Sequence, residues 1–174
     1  MTKSYKTERL ILKTIDDTDQ AFIYKHFSND QVNKYLFDAE PLTAESQAMD
    51  IINFYQHTKP KNQERFIILL NSDKTPIGTL GYHALNQKEK TVDIGYDLNP
   101  DFIGNGYMRE ALTFLIDYIK EAFKSYSVHA CIYKDNLRSI QAVEYFDFIY
   151  YKDTYEHFRG NDYLHHIYRL KINE

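Results

Sequence analysis

A glycine-containing loop between a strand pattern and a strongly amphipathic helix pattern is the feature that most restricts how this chain folds. The strand pattern covers Thr91–Leu98, and Gly104 and Gly106 lie in the loop that follows it. The next segment repeats apolar residues on one helical face: Leu112, Leu115, Ile116, Ile119 and Phe123. A helix with such a face must bury it against another element, and the preceding strand indicates a layered α/β domain.

The loop itself is suited to a bound anion. Gly104 and Gly106 allow positive φ angles and a close approach of the backbone to a ligand. The first N–H groups of the following helix have no intrahelical partner, and the helix dipole adds positive potential there. These features predict a site for a pyrophosphate. Loop geometry alone explains a Gly-x-Gly sequence before a helix equally well, so both interpretations stay open at this point.

Two common phosphate-binding motifs do not fit this loop. No Gly-Lys-Ser/Thr sequence follows the glycines, which excludes a Walker A loop. Met108 and Arg109 stand where a dinucleotide-binding fingerprint has its third glycine.

The remaining patterns extend this unit into one domain over residues 1–174. No repeat, low-complexity tract or linker divides the chain. Strands are predicted over Glu8–Thr14, Arg65–Leu70, Pro76–Leu85, Thr91–Leu98, Ser127–Tyr133, Phe148–Lys152 and Asp162–Lys171. Helices are predicted after Asp16, over Gln31–Leu36, after Thr43, after the glycine loop and over Asn136–Phe146. This order predicts an α/β (α+β) fold, with a mixed, mostly antiparallel sheet of about six to seven strands and helices on both faces.

A second group of polar residues stands where the strand ending at Tyr133 gives way to a helix. Asp135, Asn136 and Ser139 occupy that helix start. If the two strands are neighbours, both helix starts face one cleft beyond the carboxyl ends of the strands, where open α/β sheets bind ligands. The alternative is that Asp135 or Asn136 only caps the helix.

Composition excludes several classes of protein. The net charge is −4 and the Lys and Arg residues are dispersed, which argues against a nucleic-acid partner. No apolar run approaches the length of a membrane span, and no apolar signal region follows Met1, so we expect a cytoplasmic protein without a membrane partner. A chain of this length needs no structural metal, and none is expected. Cys131 is the single cysteine, and its apolar neighbours predict a small buried side chain.

Together these segments resemble the GNAT superfamily of N-acetyltransferases, and most of all the branch that contains the ribosomal-protein alanine N-acetyltransferases. The likeness runs from Thr7–Leu10 to the last strand, and its most specific parts are residues 93–98 and 103–112. Three further residues support it: Asn136, Ser139 and Phe148. The resemblance implies a GNAT-like fold and an enzyme that transfers the acetyl group of acetyl-CoA directly to a primary amine. The amine would belong to a protein N-terminus or to a small molecule, and a homodimer is left open.

The resemblance also implies roles for individual residues. Backbone N–H groups of the loop would bind the CoA pyrophosphate: Gly104, Asn105, Gly106, Tyr107 and Met108. Ile103 and Arg109 complete the predicted CoA-binding set. The backbone of Leu98 would bond the pantetheine amides and the acetyl carbonyl and stabilise the oxyanion. Asn136 would contact the pantetheine arm. Ser139 would lie near the sulfur and is a hypothetical proton donor to the thiolate.

The chain departs from the family pattern at several positions. Ile103 and Met108 replace the usual first and last residues of the loop motif, a change that backbone binding survives. Asn105 stands where a basic residue is usual, so Arg109 is expected to supply the nearby charge. Val143 stands where many relatives place a Tyr general acid, which leaves that role open.

Direct transfer requires a base, because an ammonium group must lose a proton before it attacks. Asp93 and Asp97 are the candidates. An even number of residues separates their positions, so both lie on one face of the strand unless a bulge intervenes. The alternative for each is a solvated strand carboxylate. Gly95 between them suggests a bulge or a close backbone approach.

Acceptor specificity is expected in two segments, Tyr35–Pro41 and Tyr155–Asp162. Asp38 and Glu40 could attract a cationic amine, although exposed acidic residues in loops usually serve solubility.

Two rival functions belong to other classes. A regulatory module that binds CoA without catalysis would keep the loop and lose the acid and base groups. An interaction domain would not bind CoA at all.

Overall fold

The computed structural model describes residues 2–57, 59–124 and 126–172. In this part of the chain, one sheet contains eight strands: β1 Ser4–Lys6, β2 Leu10–Thr14, β3 Glu64–Leu70, β4 Pro76–Asn86, β5 Thr91–Leu98, β6 Ser127–Tyr133, β7 Ile149–Phe158 and β8 Asn161–Lys171. The helices are α1 Gln20–Phe27, α2 Asp30–Asn33, α3 Glu45–His57, α4 Tyr107–Ala122 and α5 Leu137–Glu144. No helix among these residues is long and apolar enough to cross a membrane.

The sheet is mixed and mostly antiparallel, as predicted. Its strand order is β1-β2-β3-β4-β5-β6-β8-β7, and β5 and β6 are parallel whereas the other neighbouring pairs are antiparallel. The described residues hold one strand more than the predicted six to seven. The extra strand, β1, has three residues and is too short to show an alternating pattern. The edge strand β7 runs beyond its predicted end at Lys152. The sequence did not reveal this extension, because the strand is largely exposed on both faces and its residues show no apolar alternation.

Helices cover both faces of the sheet, which confirms the prediction. On the α4 face, apolar side chains of the strands pack against α4 and α5, and the predicted stripe of α4 is buried: Leu112, Leu115, Ile116 and Ile119. On the opposite α1 face, a smaller core joins Ile67 of β3 to Ile23 of α1 and to Ile52 of α3. Phe66 and Ile68 flank Ile67 in sequence and belong to the α4 core, as strand alternation requires.

The segment between β2 and β3 follows its predicted helix starts more closely than its predicted helix ends. A short 3-10 turn, Asp17–Asp19, leads into α1, and Asp16 caps it by accepting a hydrogen bond from the N–H of Thr18 and forming a capping box with Asp19. Helix α2 ends at Asn33, short of the predicted end at Leu36. The Asn33 side-chain amide donates to the carbonyl of Phe27, at 2.7 Å, and ties this helix end back to α1.

Candidate functional site

The site is built where strands β5 and β6 separate. The two strands pair only over Thr91–Asp93 and Ser127–His129, although β5 continues to Leu98 and β6 to Tyr133. Beyond Asp93 the backbone of β5 therefore has no strand partner on its β6 side in the described structure. A wedge-shaped cleft opens there toward the carboxyl ends of both strands, as the sequence predicted for two neighbouring strands.

The strand geometry decides which backbone groups face this cleft. The N–H of Asn99 donates to Ile77 of β4, and the carbonyl of Lys90 accepts from Ser127 of β6. Since successive residues of a strand point to alternate sides, even-numbered residues of β5 direct their N–H and C=O groups toward β6. Leu98 and Tyr96 thus present free backbone groups to the cleft; the role of Leu98 in binding acetyl-CoA stays a prediction.

The loop beyond β5 takes the conformation that its glycines were expected to allow. Gly104 and Gly106 have φ angles of 87° and 77°, in the left-handed region. Gly106 is the N-cap of α4 and has no side chain to cap the helix. The first helical hydrogen bond runs from the N–H of Glu110 to the carbonyl of Gly106, at 3.1 Å. The N–H groups of Tyr107 to Arg109 are thus left open to an external anion.

Arg9 of the segment before β2 braces this loop from behind. Its guanidinium donates to the Asn105 carbonyl at 2.9 Å and to the Glu110 carboxylate at 2.7 Å. The backbone N–H of Arg9 also donates to Glu110, at 2.7 Å. These bonds tie the loop and the first turn of α4 to the segment before β2. Sequence reasoning missed this brace, since Arg9 and Glu110 are 101 residues apart.

An open depression of about 520 Å³ lies beside the start of α4. Arg109 and Tyr145 both line it, and the Arg109 guanidinium lies 4.0 Å from the centre of the Tyr145 ring. Arg109 thus places a positive charge next to the loop, as expected. Through this contact the Tyr145 side chain packs against the first turn of α4.

The start of α5 closes the other side of the cleft. Asn136 caps this helix, accepting from the N–H of Ser139 at 3.4 Å. The phenol of Tyr96 donates to the Ser139 carbonyl at 2.9 Å and ties α5 to β5. Val143 is fully buried in the core of the α4 face, away from the cleft.

The two candidate carboxylates of β5 lie on the α1 face in very different surroundings. Asp97 is buried and pairs with the Arg65 guanidinium, and it accepts hydrogen bonds from His26 at 2.6 Å and from Thr79 at 2.7 Å. Burial alone would raise the pKa of Asp97, but the Arg65 charge and these hydrogen bonds hold it below its ordinary value. Its lone pairs are occupied, so we correct its assignment from base to an anchor of α1 and β3 on β5.

Asp93 is the carboxylate that stays available. It forms no hydrogen bond with the described part of the chain. The imidazole of His129 lies beside it, with Nδ1 3.8 Å from Oδ1 of Asp93. Burial raises the pKa of Asp93 to about 6. A carboxylate that titrates this close to neutrality is suited to accept a proton and to release it again.

Two paired glycines lie on the α1 face, level with the middle of the segment between these two carboxylates. Gly95 pairs with Gly81 of β4, and β5 has no register break at Gly95. The predicted bulge is therefore wrong at this position; the irregularity lies between His83 and Asn86 of β4. A Cβ atom on Gly95 would lie 3.1 Å from Nη1 of Arg65 and 3.5 Å from Cε1 of His83. Gly95 thus makes room for these two side chains, which sequence reasoning missed because cross-strand register cannot be read from one strand.

The segment predicted to select the acceptor lies over the sheet near β6 and β8. Phe37 stacks on Tyr163 with ring centres 4.1 Å apart and contacts Tyr133 at 4.8 Å. The Glu40 carboxylate accepts hydrogen bonds from Arg159 at 2.8 and 3.1 Å. Glu40 therefore serves as an anchor of this segment, whereas Asp38 is exposed and has no hydrogen bond or ion pair in the described structure.

One sequence prediction near the cleft is wrong. Cys131 was expected to be buried, but its residue is exposed. It lies two residues after His129 on β6, so strand alternation turns it to the α1 face and away from the main core.

Comparisons with known proteins agree with this geometry. The sequence model described as acetyltransferase (GNAT) domain matches residues 9–149. The uncharacterized N-acetyltransferase YoaA of Bacillus subtilis is 34% identical over 132 residues, which cover 75% of this chain and 74% of that protein. The uncharacterized N-acetyltransferase p20 of Bacillus licheniformis is 31% identical over 143 residues, or 82% of this chain and 80% of that protein.

Solved structures share the fold at low sequence identity. The spermidine N-acetyltransferase from Vibrio cholerae, in complex with CoA and spermine, superposes with a TM-score of 0.79 at 19% identity, covering 95% of this chain and 96% of that one. RimL, a ribosomal L7/L12 alpha-N-protein acetyltransferase in complex with coenzyme A, gives a TM-score of 0.86 at 16% identity, covering 98% and 99%.

Proposed function

Since this chain belongs to the GNAT acetyltransferase family and is an acyltransferase of that type, we propose that it transfers the acetyl group of acetyl-CoA directly to a primary amine. The acceptor is the N-terminal amine of a protein or a small-molecule amine. The observation that carries the proposal is the separation of β5 from β6 beside an uncapped helix start.

The residues present fit acetyl-CoA. Its diphosphate needs several convergent N–H donors, which the backbone from Gly104 to Arg109 supplies at the start of α4. Its pantetheine amides need partners along an extended backbone, which the free side of β5 offers at Tyr96 and Leu98. Asn136 and Ser139 stand at the opposite wall of the cleft. Arg109 adds charge near the diphosphate.

Acetyl-CoA supplies an activated acetyl group, and the chain supplies polarisation and proton transfer. The backbone N–H of Leu98 stabilises the oxyanion that forms on the acetyl carbonyl, an effect that is large in a dry cleft. Asp93 accepts a proton from the ammonium group of the acceptor, and the neutral amine then attacks the acetyl carbonyl. The hydroxyl of Ser139 donates a proton to the departing thiolate.

The acceptor enters over the α1 face. Asp93 lies on that face and its side chain is 35% exposed. Asp38 is the exposed acidic residue of the overlying segment. The names of the structural relatives, a spermidine acetyltransferase and a protein N-terminal acetyltransferase, give the two acceptor classes to test first.

Two measurements test the proposal. Calorimetric titration with acetyl-CoA should show one saturable site, and a thiol-release assay over a panel of polyamines, aminoglycosides and N-terminal peptides should identify the acceptor. Absence of any affinity for CoA or acetyl-CoA would refute the proposal.

Val143, which is buried, stands where relatives place a Tyr general acid, and this absence supports an alternative function without catalysis. A regulatory CoA-binding module would bind acetyl-CoA and release no thiol with any amine. The same panel therefore separates the two functions.

Two further sequence predictions stay predictions, the cytoplasmic location and the homodimer. Exposed apolar residues on the edge strand β7, Ile149, Tyr150, Tyr151 and Tyr155, are where a second copy would pack. Sedimentation of wild type and of Tyr155→Ser tests this arrangement: a dimer that the substitution weakens supports it, and a monomeric wild type contradicts it.

A further inference from the structure

The base of this reaction must release its bound proton after every turnover. When the acceptor starts as an ammonium ion, the new N–C bond forms, the C–S bond breaks, and one of the two protons lost by nitrogen ends on the thiol. The other proton leaves the site. A carboxylate that takes it must release it before the next ammonium arrives. Asp93 is 35% exposed, and an acceptor seated over it covers that open side, so a second route away from Asp93 is required.

The neighbour of Asp93 on β6 is in position to provide that route. Asp93 and His129 form the last residue pair between β5 and β6 before the strands separate. Nδ1 of His129 lies 3.8 Å from Oδ1 of Asp93. This distance exceeds a hydrogen bond, and a small side-chain rotation or a bridging water closes it.

The His129 ring also contacts a residue outside the cleft. Its ring stacks on Tyr151 of the edge strand β7, with ring centres 5.8 Å apart. Tyr151 is exposed, and the Arg169 guanidinium lies 4.0 Å from its ring centre. His129 thus contacts a side chain of the edge strand, on the side of its ring that faces away from Asp93.

We propose that Asp93 and His129 form a proton relay, in which the Asp93 carboxylate takes the proton of the amine and the His129 imidazole conducts it to solvent. This inference rests on the proposed acetyltransferase function. It assigns to His129 a part in the reaction that acts through Asp93.

The surroundings of His129 keep its imidazole neutral between turnovers. Burial lowers the pKa of His129, with smaller contributions from Arg169 and Lys152, so its imidazole is neutral at neutral pH and free to accept a proton. Burial raises the pKa of Asp93 to about 6, so this carboxyl group, once protonated, can pass its proton to the neutral imidazole.

The remaining titratable groups that face the pair come from five elements. They are His83 of β4, Arg65 of β3, Cys131 of β6, Glu156 of β7 and Asp38 of the segment after α2. The charge of Arg65 lowers the pKa of His83 together with burial. His83 makes no hydrogen bond with Asp93 in the described structure, which leaves His129 as the nearer imidazole.

The test compares wild type with Asp93→Asn, His129→Gln and His57→Gln, the last being an exposed histidine at the end of α3. With the best amine of the panel, wild-type kcat/KM should rise with pH through about 6. Asp93→Asn should lose about a hundredfold in kcat and lose this rise. His129→Gln should lose about tenfold in kcat, keep its affinity for acetyl-CoA in calorimetry, and recover activity on addition of imidazole. His57→Gln should match wild type.

A second readout needs no turnover. In the free protein, NMR titration of the His129 ring should follow the ionisation of Asp93, and in Asp93→Asn the pKa of His129 should fall, because the neighbouring negative charge is gone. An active wild type whose His129→Gln variant keeps kcat and the pH profile, or a His129 titration that Asp93→Asn leaves unchanged, would overturn the relay. A wild type inactive on every amine would instead count against the proposed function.

Discussion

The two ends of the cleft present different chemical groups to a ligand, backbone groups at one end and side chains at the other. At the start of α4 the loop offers backbone N–H groups, and the side chains of Ile103, Asn105 and Met108 differ from the family pattern without changing what is offered. On the α1 face, β5 offers side chains: Asp93, which is free, and Asp97, which is tied to Arg65.

This difference teaches which part of such a site tolerates sequence change. Backbone donors depend on φ angles and helix position, which a few glycines fix. Side-chain sites depend on neighbours from several strands, so one substitution changes several partners at once. The following predictions test that contrast, from the largest effect to the smallest.

The largest effect should follow from Asp97→Asn. The change leaves Arg65 and His26 buried beside a neutral amide, and breaking a buried ion pair costs about 3 kcal/mol. Asp117→Asn on the exposed side of α4 is the control and should leave stability unchanged. Urea unfolding at pH 7 measures both.

The pH dependence of this effect has a definite sign. Because the pKa of Asp97 is lowered in the folded protein, its stabilisation is present above the ordinary aspartate pKa of about 4 and is lost as pH falls through the lower folded value. The difference between wild type and Asp97→Asn should therefore shrink in acid. A difference that grows in acid would contradict the assignment of Asp97 as an anchor.

At the other end of the cleft, Gly106→Ala should weaken acetyl-CoA binding about tenfold. A φ angle of 77° costs a residue with a Cβ atom about 1–2 kcal/mol, so the loop shifts and its N–H groups lose their alignment. Asp101→Asn is the matched control, because it changes an exposed side chain of the loop that makes no hydrogen bond in the described structure. Calorimetric titration decides: equal losses in both variants would mean that side chains, and not the backbone, bind the ligand.

The same contrast explains how much the sequence could reveal. The glycine loop and the stripe of α4 are local patterns, and both the fold and the helix start followed from them. The Arg9–Glu110 brace and the Arg65–Asp97 pair join residues far apart in the chain, 101 and 32 positions respectively. Their partners depend on strand register and on the order of strands, which no local pattern encodes.

Surface strands show the same limit from another side. The exposed strand β7 ran past its predicted end, and Cys131 lay on the open face although its neighbours in sequence are apolar. An apolar segment predicts that a strand is buried on one face. It does not say which residues meet a helix and which meet the cleft.

Asp93→Asn should have the opposite sign to Asp97→Asn in stability. Burial raises the pKa of Asp93 to about 6, so ionisation opposes folding, and stability is lost as pH rises from about 4 to 6. The full shift corresponds to about 3 kcal/mol, but Asp93 is 35% exposed and solvent screening reduces this to about 1 kcal/mol. The variant should thus be more stable than wild type at pH 7 and equal to it at pH 3. Urea unfolding at both pH values checks this, and a loss of stability at pH 7 would show that the carboxylate has a partner in the folded protein.

The smallest effect should come from Glu40, although it lies on the acidic segment over the acceptor side. Its carboxylate is already neutralised by Arg159, so Glu40→Gln should change the KM for a cationic acceptor less than about twofold. Asp38→Asn removes a carboxylate without such a partner in the described structure and should raise that KM several-fold, more at low salt than at high salt, because solvent-exposed charges are screened. Steady-state kinetics at two ionic strengths compares the two variants. If Glu40→Gln raises KM more than Asp38→Asn, then Arg159 releases Glu40 when the acceptor binds, and the segment selects its substrate by breaking that ion pair.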